Sequence, residues 1–192
     1  VGTIYKQVCP QKAFLIGLKI AGPKLALFAE TALKNNKNGS CRIFCFRGGQ
    51  RSGSMTWLFR TAGLETLTLQ GGYKRFRTWV QEILKQPLPL VILGGLTGCG
   101  KTAFLHQLQK EGKQIIDLEK LANHRGSVFG QLDKQPTHES FENQLALRIA
   151  SLNKQEAIFV EDESRMIGTC KIPDAFFLQM QSAPMQLIEA ST

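Results

Sequence analysis

At the centre of the chain stands Leu90-Val91-Ile92-Leu93-Gly94-Gly95-Leu96-Thr97-Gly98-Cys99-Gly100-Lys101-Thr102. A short apolar run is followed by four glycines within seven residues and then by Lys-Thr. From Gly95 onward the stretch matches G-x-x-x-x-G-K-[ST] at every fixed position, with an apolar strand expected over 90–93 and a helix over 101–110. Glycine at 95, 98 and 100 lets successive backbone N–H groups turn inward onto a phosphate, and the start of the helix adds a favourable field. Lys101 is placed to reach terminal phosphates, and Thr102 to offer a hydroxyl to Mg²⁺. The motif specifies a polyphosphate ligand; it does not require a nucleotide and does not imply hydrolysis.

Such a loop needs an acidic partner at the end of a neighbouring strand. The buried-type run 157–160 leads into Glu161-Asp162-Glu163, and Asp117 follows Ile115-Ile116, with Glu161, Asp162 and Asp117 as the candidates. Further strands are expected over 114–118 and 185–188 and helices over 139–152 and 175–181, with a polar segment at 122–137 between them. The second half therefore reads as an α/β unit of the P-loop NTPase-like kind.

Working back from the loop, Gln86-Pro87-Leu88-Pro89 reads as a joint, because two prolines two apart cannot sit inside a helix. It divides the chain into residues 1–86 and 87–192. In the first part, apolar residues at helical spacing over 11–37 are broken by Gly22-Pro23. A strand over 42–46, a helix from Ser52 to Gly63, a strand over 66–69 and a helix over 73–85 follow. Strand, helix, strand, helix is the pattern of a parallel sheet.

Charge is divided unevenly. Residues 1–94 carry a net +11 and residues 95–192 a net −2, out of a total of +9. The first half is suited to face a polyanion, the alternative being a basic surface kept for solubility. A hydrophobic share of 43% with 20% charged residues excludes disorder, collagen and coiled coil. No apolar run approaches the ~20 residues of a membrane span, and no signal peptide opens the chain, so a reducing cytoplasmic setting is expected. The chain does not begin with Met, which makes Val1 either a processed end or an interior residue of something longer. Five cysteines without paired C-x-x-C spacing argue against a disulfide framework or structural zinc. His106, His124 and His138 show no metal-ligand spacing either.

The cysteine that stands apart is Cys45, at a strand end before Phe46-Arg47-Gly48-Gly49-Gln50-Arg51-Ser52 and a helix. Inward N–H groups, a helix N-terminus and Arg51 would favour the thiolate, and the same cradle would hold an oxyanion beside the sulfur. Three outcomes are open on the residues alone: phosphoester hydrolysis through a phosphocysteine, chalcogen transfer through a persulfide-type intermediate, or a buried structural thiol. Downstream, Tyr73-Lys74-Arg75-Phe76-Arg77 interleaves cations with aromatic rings in the manner of RNA-contacting surfaces, or of a solvated helix face with Phe76 in the core.

The Cys45–Ser52 loop together with Leu69-Gln70-Gly71-Gly72-Tyr73 resembles the second half of a rhodanese domain. Val1–Gln7, Phe46–Ser52, the Gly95–Thr102 loop, Asp117-Leu118-Glu119, residues 122–130 and Val160–Gly168 together resemble the bacterial tRNA 2-selenouridine synthase family. That resemblance implies a partial rhodanese-like parallel-sheet domain followed by a P-loop domain, in a fragment cut at both ends. It implies conversion of wobble 2-thiouridine to 2-selenouridine through an S-geranyl intermediate, with tRNA as partner. Geranyl diphosphate and selenophosphate would be the co-substrates, with Mg²⁺ at the P-loop and no metal ligated elsewhere. Cys45 would carry selenium in the donor loop formed by Arg47, Gly48, Gly49, Arg51 and Ser52, and His124 and Arg125 would contact phosphate or substrate. Two other function classes compete: a P-loop kinase or NTPase fused to a sulfurtransferase, separable by ATP turnover, and a non-catalytic RNA-binding module, against which Cys45 and its arginines argue.

Overall fold

The computed structural model describes residues 2–36, 38–96, 98–124 and 134–188. Packing divides the chain into two compact units between Phe76 and Arg77. That point lies ten residues before the Pro87 joint and inside a helix.

The first unit opens with helices α1 (Gly2–Gln7), α2 (Pro10–Ala21) and α3 (Leu25–Asn35), the last two separated by a single 3₁₀ turn at Gly22–Lys24. Pro23 cannot donate a backbone hydrogen bond, so the break falls where the sequence puts it. Strand β1 (Ser40–Ile43), helix α4 (Gln50–Thr61) and strand β2 (Glu65–Thr68) form a parallel β-α-β unit, in register from Ser40 opposite Glu65 to Ile43 opposite Thr68. Arg60 clamps the crossover: its Nε donates to Thr66 Oγ1 at 2.7 Å and its Nη2 to the Thr66 carbonyl at 3.0 Å. Thr56 Oγ1 lies 2.9 Å from Thr68 Oγ1 and completes the seam.

Strand β1 ends earlier than the expected 42–46. Instead of extending the ladder, the carbonyls of Cys45 and Phe46 accept hydrogen bonds from the N–H groups of Tyr73 (3.0 Å) and Lys74 (2.9 Å). These residues belong to the first turn of α5 (Gly72–Leu84), where helix N–H groups have no partner within the helix.

The second unit takes over along α5, where Val80 and Leu84 are fully buried and Arg77 pairs with Glu142 and Asn143. Its sheet is four-stranded and wholly parallel, in the order β4 (Gln114–Ile116), β5 (Ile158–Glu161), β3 (Leu90–Gly94), β8 (Met185–Leu187). The helices are α6 (Lys101–Lys110), α7 (Leu118–Leu121), α8 (His138–Ala150) and α9 (Asp174–Ser182). A two-stranded antiparallel ribbon, β6 (Met166–Ile167) with β7 (Cys170–Lys171), stands apart from the sheet. Leu93, Leu105 and Ile115 are buried together, with Leu108, Phe159 and Ile188 packed against them. Near-continuous apolar strands are what a parallel sheet covered by helices demands.

One expectation is corrected in this unit, and one element is new. The strand expected over 114–118 stops at Ile116, because Asp117 caps a short helix and accepts the Lys120 N–H at 2.8 Å. The β6–β7 ribbon was not expected at all. The unit is α/β with a parallel sheet and a P-loop-like arrangement, as the central motif implied. Among the described residues no helix is long and apolar enough to cross a membrane.

Candidate functional site

Each unit carries one chemically distinctive loop. In the second, β3 feeds the glycine loop and α6 leaves it, so the loop lies at the carboxyl end of a central strand, where open parallel sheets bind ligands. Gly95 adopts φ +150°, and a Cβ there would sit 2.7 Å from Cys99 Sγ and 2.8 Å from the Ile188 carbonyl oxygen. No side chain fits at that position. Gly98 and Gly100 also have positive φ, and Gly100 caps α6. Thr97 lies outside the described residues.

Lys101 Nζ donates to the loop's own carbonyls, to Gly95 at 2.9 Å and Leu96 at 3.1 Å. Its ammonium is thereby folded over the loop it is to serve. Thr102 Oγ1 donates to Glu161 Oε2 at 3.1 Å. Strand register places Glu161 beside Leu93, at the end of β5, and it is 4% exposed. Burial pushes its carboxyl above the usual range, and the charge of Glu119 adds to that.

Of the three acidic candidates, Glu161 is the one that meets Thr102. Asp162 lies at the surface, its N–H donating to the Leu93 carbonyl at 3.0 Å. Asp117 is engaged by the α7 N-terminus and by His106, whose Nε2 lies 2.7 Å from Asp117 Oδ2. Sequence reasoning did not single out Glu119 or, within the acidic run 161–163, Glu163. Glu163 is half-buried, hydrogen-bonded to Glu119, and raised to about 7, first by burial and then by the charges of Glu119 and Glu161. The signal for it was present in the acidic run Glu161-Asp162-Glu163, which follows directly on the apolar residues of β5. His124 donates its N–H to the Glu119 carbonyl at 3.0 Å. Its Nδ1 is buried with no hydrogen-bond partner among the described residues. Arg125 lies outside the described residues, as does the rest of its motif at 126–130.

In the first unit, Cys45 is half-buried where the chain leaves β1, and its Sγ lies 3.3 Å from Ser52 Oγ, in the first turn of α4. Ser52 is 2% exposed and also donates to the Gly49 carbonyl at 3.0 Å. The hydroxyl has one proton for two acceptors, so it must turn from Gly49 to sulfur when the thiol ionises. The Cys45 thiol is lowered from 9.0 to about 6. The Ser52 hydroxyl is the first cause, followed by the N–H groups of Ser52, Gly49 and Arg47. The backbone cradle read from the sequence is therefore present. The expected aid from Arg51 is not among the causes, and a side-chain hydroxyl leads instead.

The loop is held by a second glycine turn. Gly48 and Gly72 approach so closely that a Cβ on Gly72 would lie 2.1 Å from the Cys45 oxygen and 2.3 Å from the Gly48 nitrogen. Both have φ near +65°, at 65° and 63°. Arg47 and Arg51 are exposed, and Gly49 caps α4. Beside this loop an apolar cavity of about 710 Å³ opens between α2 and the start of α4, lined among others by Tyr5, Phe14, Leu18 and Arg51. Among the described residues no cluster of three or more His, Cys, Asp or Glu side chains could hold a metal ion.

Comparison with known proteins agrees with the second unit's geometry and extends beyond it. Residues 88–192 match the family described as the tRNA 2-selenouridine synthase AAA domain. A tRNA 2-selenouridine synthase of Shewanella denitrificans is 41% identical over 198 residues, covering 98% of this chain and 53% of the relative. Those of Pseudomonas putida and Pseudomonas fluorescens are 38% and 37% identical, covering 100% of this chain and 53% and 54% of their own length. The chain thus spans about half the length of the curated relatives it matches. No solved structure matches.

Proposed function

We propose that this chain, which belongs to the tRNA 2-selenouridine synthase family, carries the two chemical centres that turn wobble 2-thiouridine of tRNA into 2-selenouridine. In this reading the first unit is the C-terminal part of a rhodanese-like domain, working in the cytoplasm on tRNA. The single observation that carries it is Cys45: a thiol lowered to about 6, held by Ser52 and three backbone N–H groups in a loop flanked by arginines. At neutral pH that sulfur is mostly thiolate, the nucleophilic form. Selenophosphate supplies the selenium, its phosphate group resting near the N–H groups and Arg51. The Cys45 thiolate attacks its phosphorus, the P–Se bond breaks and selenide leaves. Selenide then displaces geranylthiolate at C2 to give 2-selenouridine, and water releases phosphate from Cys45.

The glycine loop serves the preceding step. The sulfur of 2-thiouridine attacks the first carbon of geranyl diphosphate, the carbon–oxygen bond breaks, and diphosphate leaves. Lys101 and the loop N–H groups bear the charge that builds on that diphosphate. Alkylation turns the sulfur into a good leaving group for the second step. The Thr102 hydroxyl and the Glu161 carboxylate, 3.1 Å apart, are hard oxygen donors of the kind that hold Mg²⁺ together with phosphate oxygens and water. Mg²⁺ there would supply further charge neutralisation at the diphosphate.

The test separates the two centres. Cells lacking their own 2-selenouridine synthase receive the chain or a variant, and their tRNA is digested and its nucleosides are read by mass spectrometry. Cys45→Ser should abolish 2-selenouridine while S-geranyl-2-thiouridine still forms, because serine is not ionised at neutral pH. Lys101→Ala should lower S-geranyl-2-thiouridine by roughly tens to thousands-fold, the effect of removing a cation from a buried diphosphate. If both variants accumulate the same product, the division of labour is refuted.

A further inference from the structure

The cysteine loop has an aromatic flank that neither centre uses. Phe44 and Phe46 bracket Cys45 in the chain and are 60% and 55% exposed. Phe44 is not a loose ring. Its centroid lies 6.4 Å from that of Tyr73, which lies 5.9 Å from that of Phe76, so three rings form a tilted row running from the helix to the surface. Tyr73 is fixed in turn by its N–H bond to the Cys45 carbonyl, which ties the row to the thiol loop itself.

What surrounds the row is basic. Arg42 precedes Phe44 by two residues, Arg47 follows it by three, and Lys74 and Arg75 stand beside Tyr73; all four are exposed. Residues 1–76 hold a net +10, with Glu30 and Glu65 as their only acids. An apolar patch meant for another protein has a core depleted of charge, whereas exposed rings set among guanidinium and ammonium groups are the composition of a single-strand nucleic-acid surface. Bases in a paired helix are stacked on one another and unavailable to such a ring; unpaired bases of loops are available.

We propose that Phe44, backed by Tyr73 and Phe76, is a platform on which an unpaired RNA base stacks beside Cys45, while Arg42, Arg47, Lys74 and Arg75 hold the adjoining phosphates. The proposal rests on the reading that RNA is the substrate, and adds which face receives it and why the receiving strand must be unpaired. Stacking sets the base next to the loop that carries the thiolate, and the cations position the strand without reading its sequence.

The experiment compares two labelled RNAs of equal length and phosphate count, a hairpin with an unpaired loop and a blunt duplex, titrated with the chain by fluorescence anisotropy. Phe44→Leu should weaken hairpin binding about tenfold, the loss expected for one base–ring stack, and change duplex binding less than about twofold. Phe44→Trp, which keeps a ring, should retain hairpin affinity. The pH midpoint of Cys45 alkylation should stay near 6 in both variants, showing that the loop is still folded. Unchanged hairpin binding by Phe44→Leu, or an equal loss on hairpin and duplex, overturns the platform while leaving the chemistry of Cys45 intact. So does a change of oligomeric state in Phe44→Leu with hairpin binding preserved, which would make this face a protein contact. A wild-type chain that binds neither RNA overturns the platform together with the RNA reading beneath it.

Discussion

Replacing Ser52 by alanine removes a single oxygen from the cysteine loop, and its consequence follows from the hydrogen-bond count. Cys45 descends from 9.0 to about 6 because its thiolate accepts from the Ser52 hydroxyl and from the N–H groups of Ser52, Gly49 and Arg47. The hydroxyl comes first among these, and Ser52→Ala leaves the backbone donors in place. A hydrogen bond to a charged group is strong enough to move a titration by roughly one to two pH units. The variant thiol should then titrate near ~7.5, and at pH 6.5 its thiolate fraction should fall about eightfold. Iodoacetamide alkylation, followed peptide by peptide in the mass spectrometer, reads Cys45 separately from the other four cysteines. The eightfold slowing at pH 6.5 should shrink as pH rises and vanish near pH 9, where both thiols are ionised. A pH-independent slowing would mean that the substitution changed access rather than ionisation. An unmoved midpoint would refute the assignment to Ser52.

Other perturbations probe neighbouring parts of the account. Gly72→Ala places a methyl 2.1 Å from the Cys45 oxygen and 2.3 Å from the Gly48 nitrogen, at φ +63°. It should push the loop off the α5 N-terminus and return the Cys45 alkylation midpoint toward 9, while diphosphate binding at the Lys101 loop is unchanged by calorimetry. Glu163 is raised from 4.5 to about 7, so its folded form holds a proton that the unfolded chain releases. Its contribution to stability is therefore complete below pH 4.5 and is lost as pH rises through 7. Glu163→Gln mimics the protonated form, and its melting temperature relative to the parent should climb between pH 5 and pH 8. A gap that is constant with pH would remove Glu163 as the titrating group.

The glycine loop was legible because its requirements are local. Gly95 cannot carry a side chain against Cys99 and Ile188, and the strand, loop and helix around it are contiguous in sequence. The cysteine loop was legible in composition but less so in geometry. Strand β1 ends at Ile43 because the backbone of Cys45 and Phe46 bonds to α5, a partner almost thirty residues away that no local pattern announces. Ser52 lies only seven residues from Cys45 and was read as part of the loop, but its hydroxyl displaces Arg51 as the expected source of thiolate stabilisation. Asp117 illustrates the opposite error: its following Leu118 and Leu121, three apart, with an acceptor side chain before them, mark a helix start that a strand reading absorbed. The β6–β7 ribbon had a signal in the two-residue Gly168-Thr169 turn, with Gly168 at φ +57°. The division inside α5 had none, because one helix supplies Tyr73 and Phe76 to the first unit and Val80 and Leu84 to the core of the second.

Cys45 is the nucleophile that opens selenophosphate, and this is tested most directly by finding where the phosphoryl group lands. The chain is incubated with selenophosphate, digested without reductant, and its cysteine peptides are sequenced by tandem mass spectrometry. One phosphoryl group is expected on the Cys45 peptide, none on those of Cys9, Cys41, Cys99 or Cys170, and none anywhere in Cys45→Ser. A phosphoryl group on another cysteine, or 2-selenouridine formed in the cell by Cys45→Ser, would contradict it.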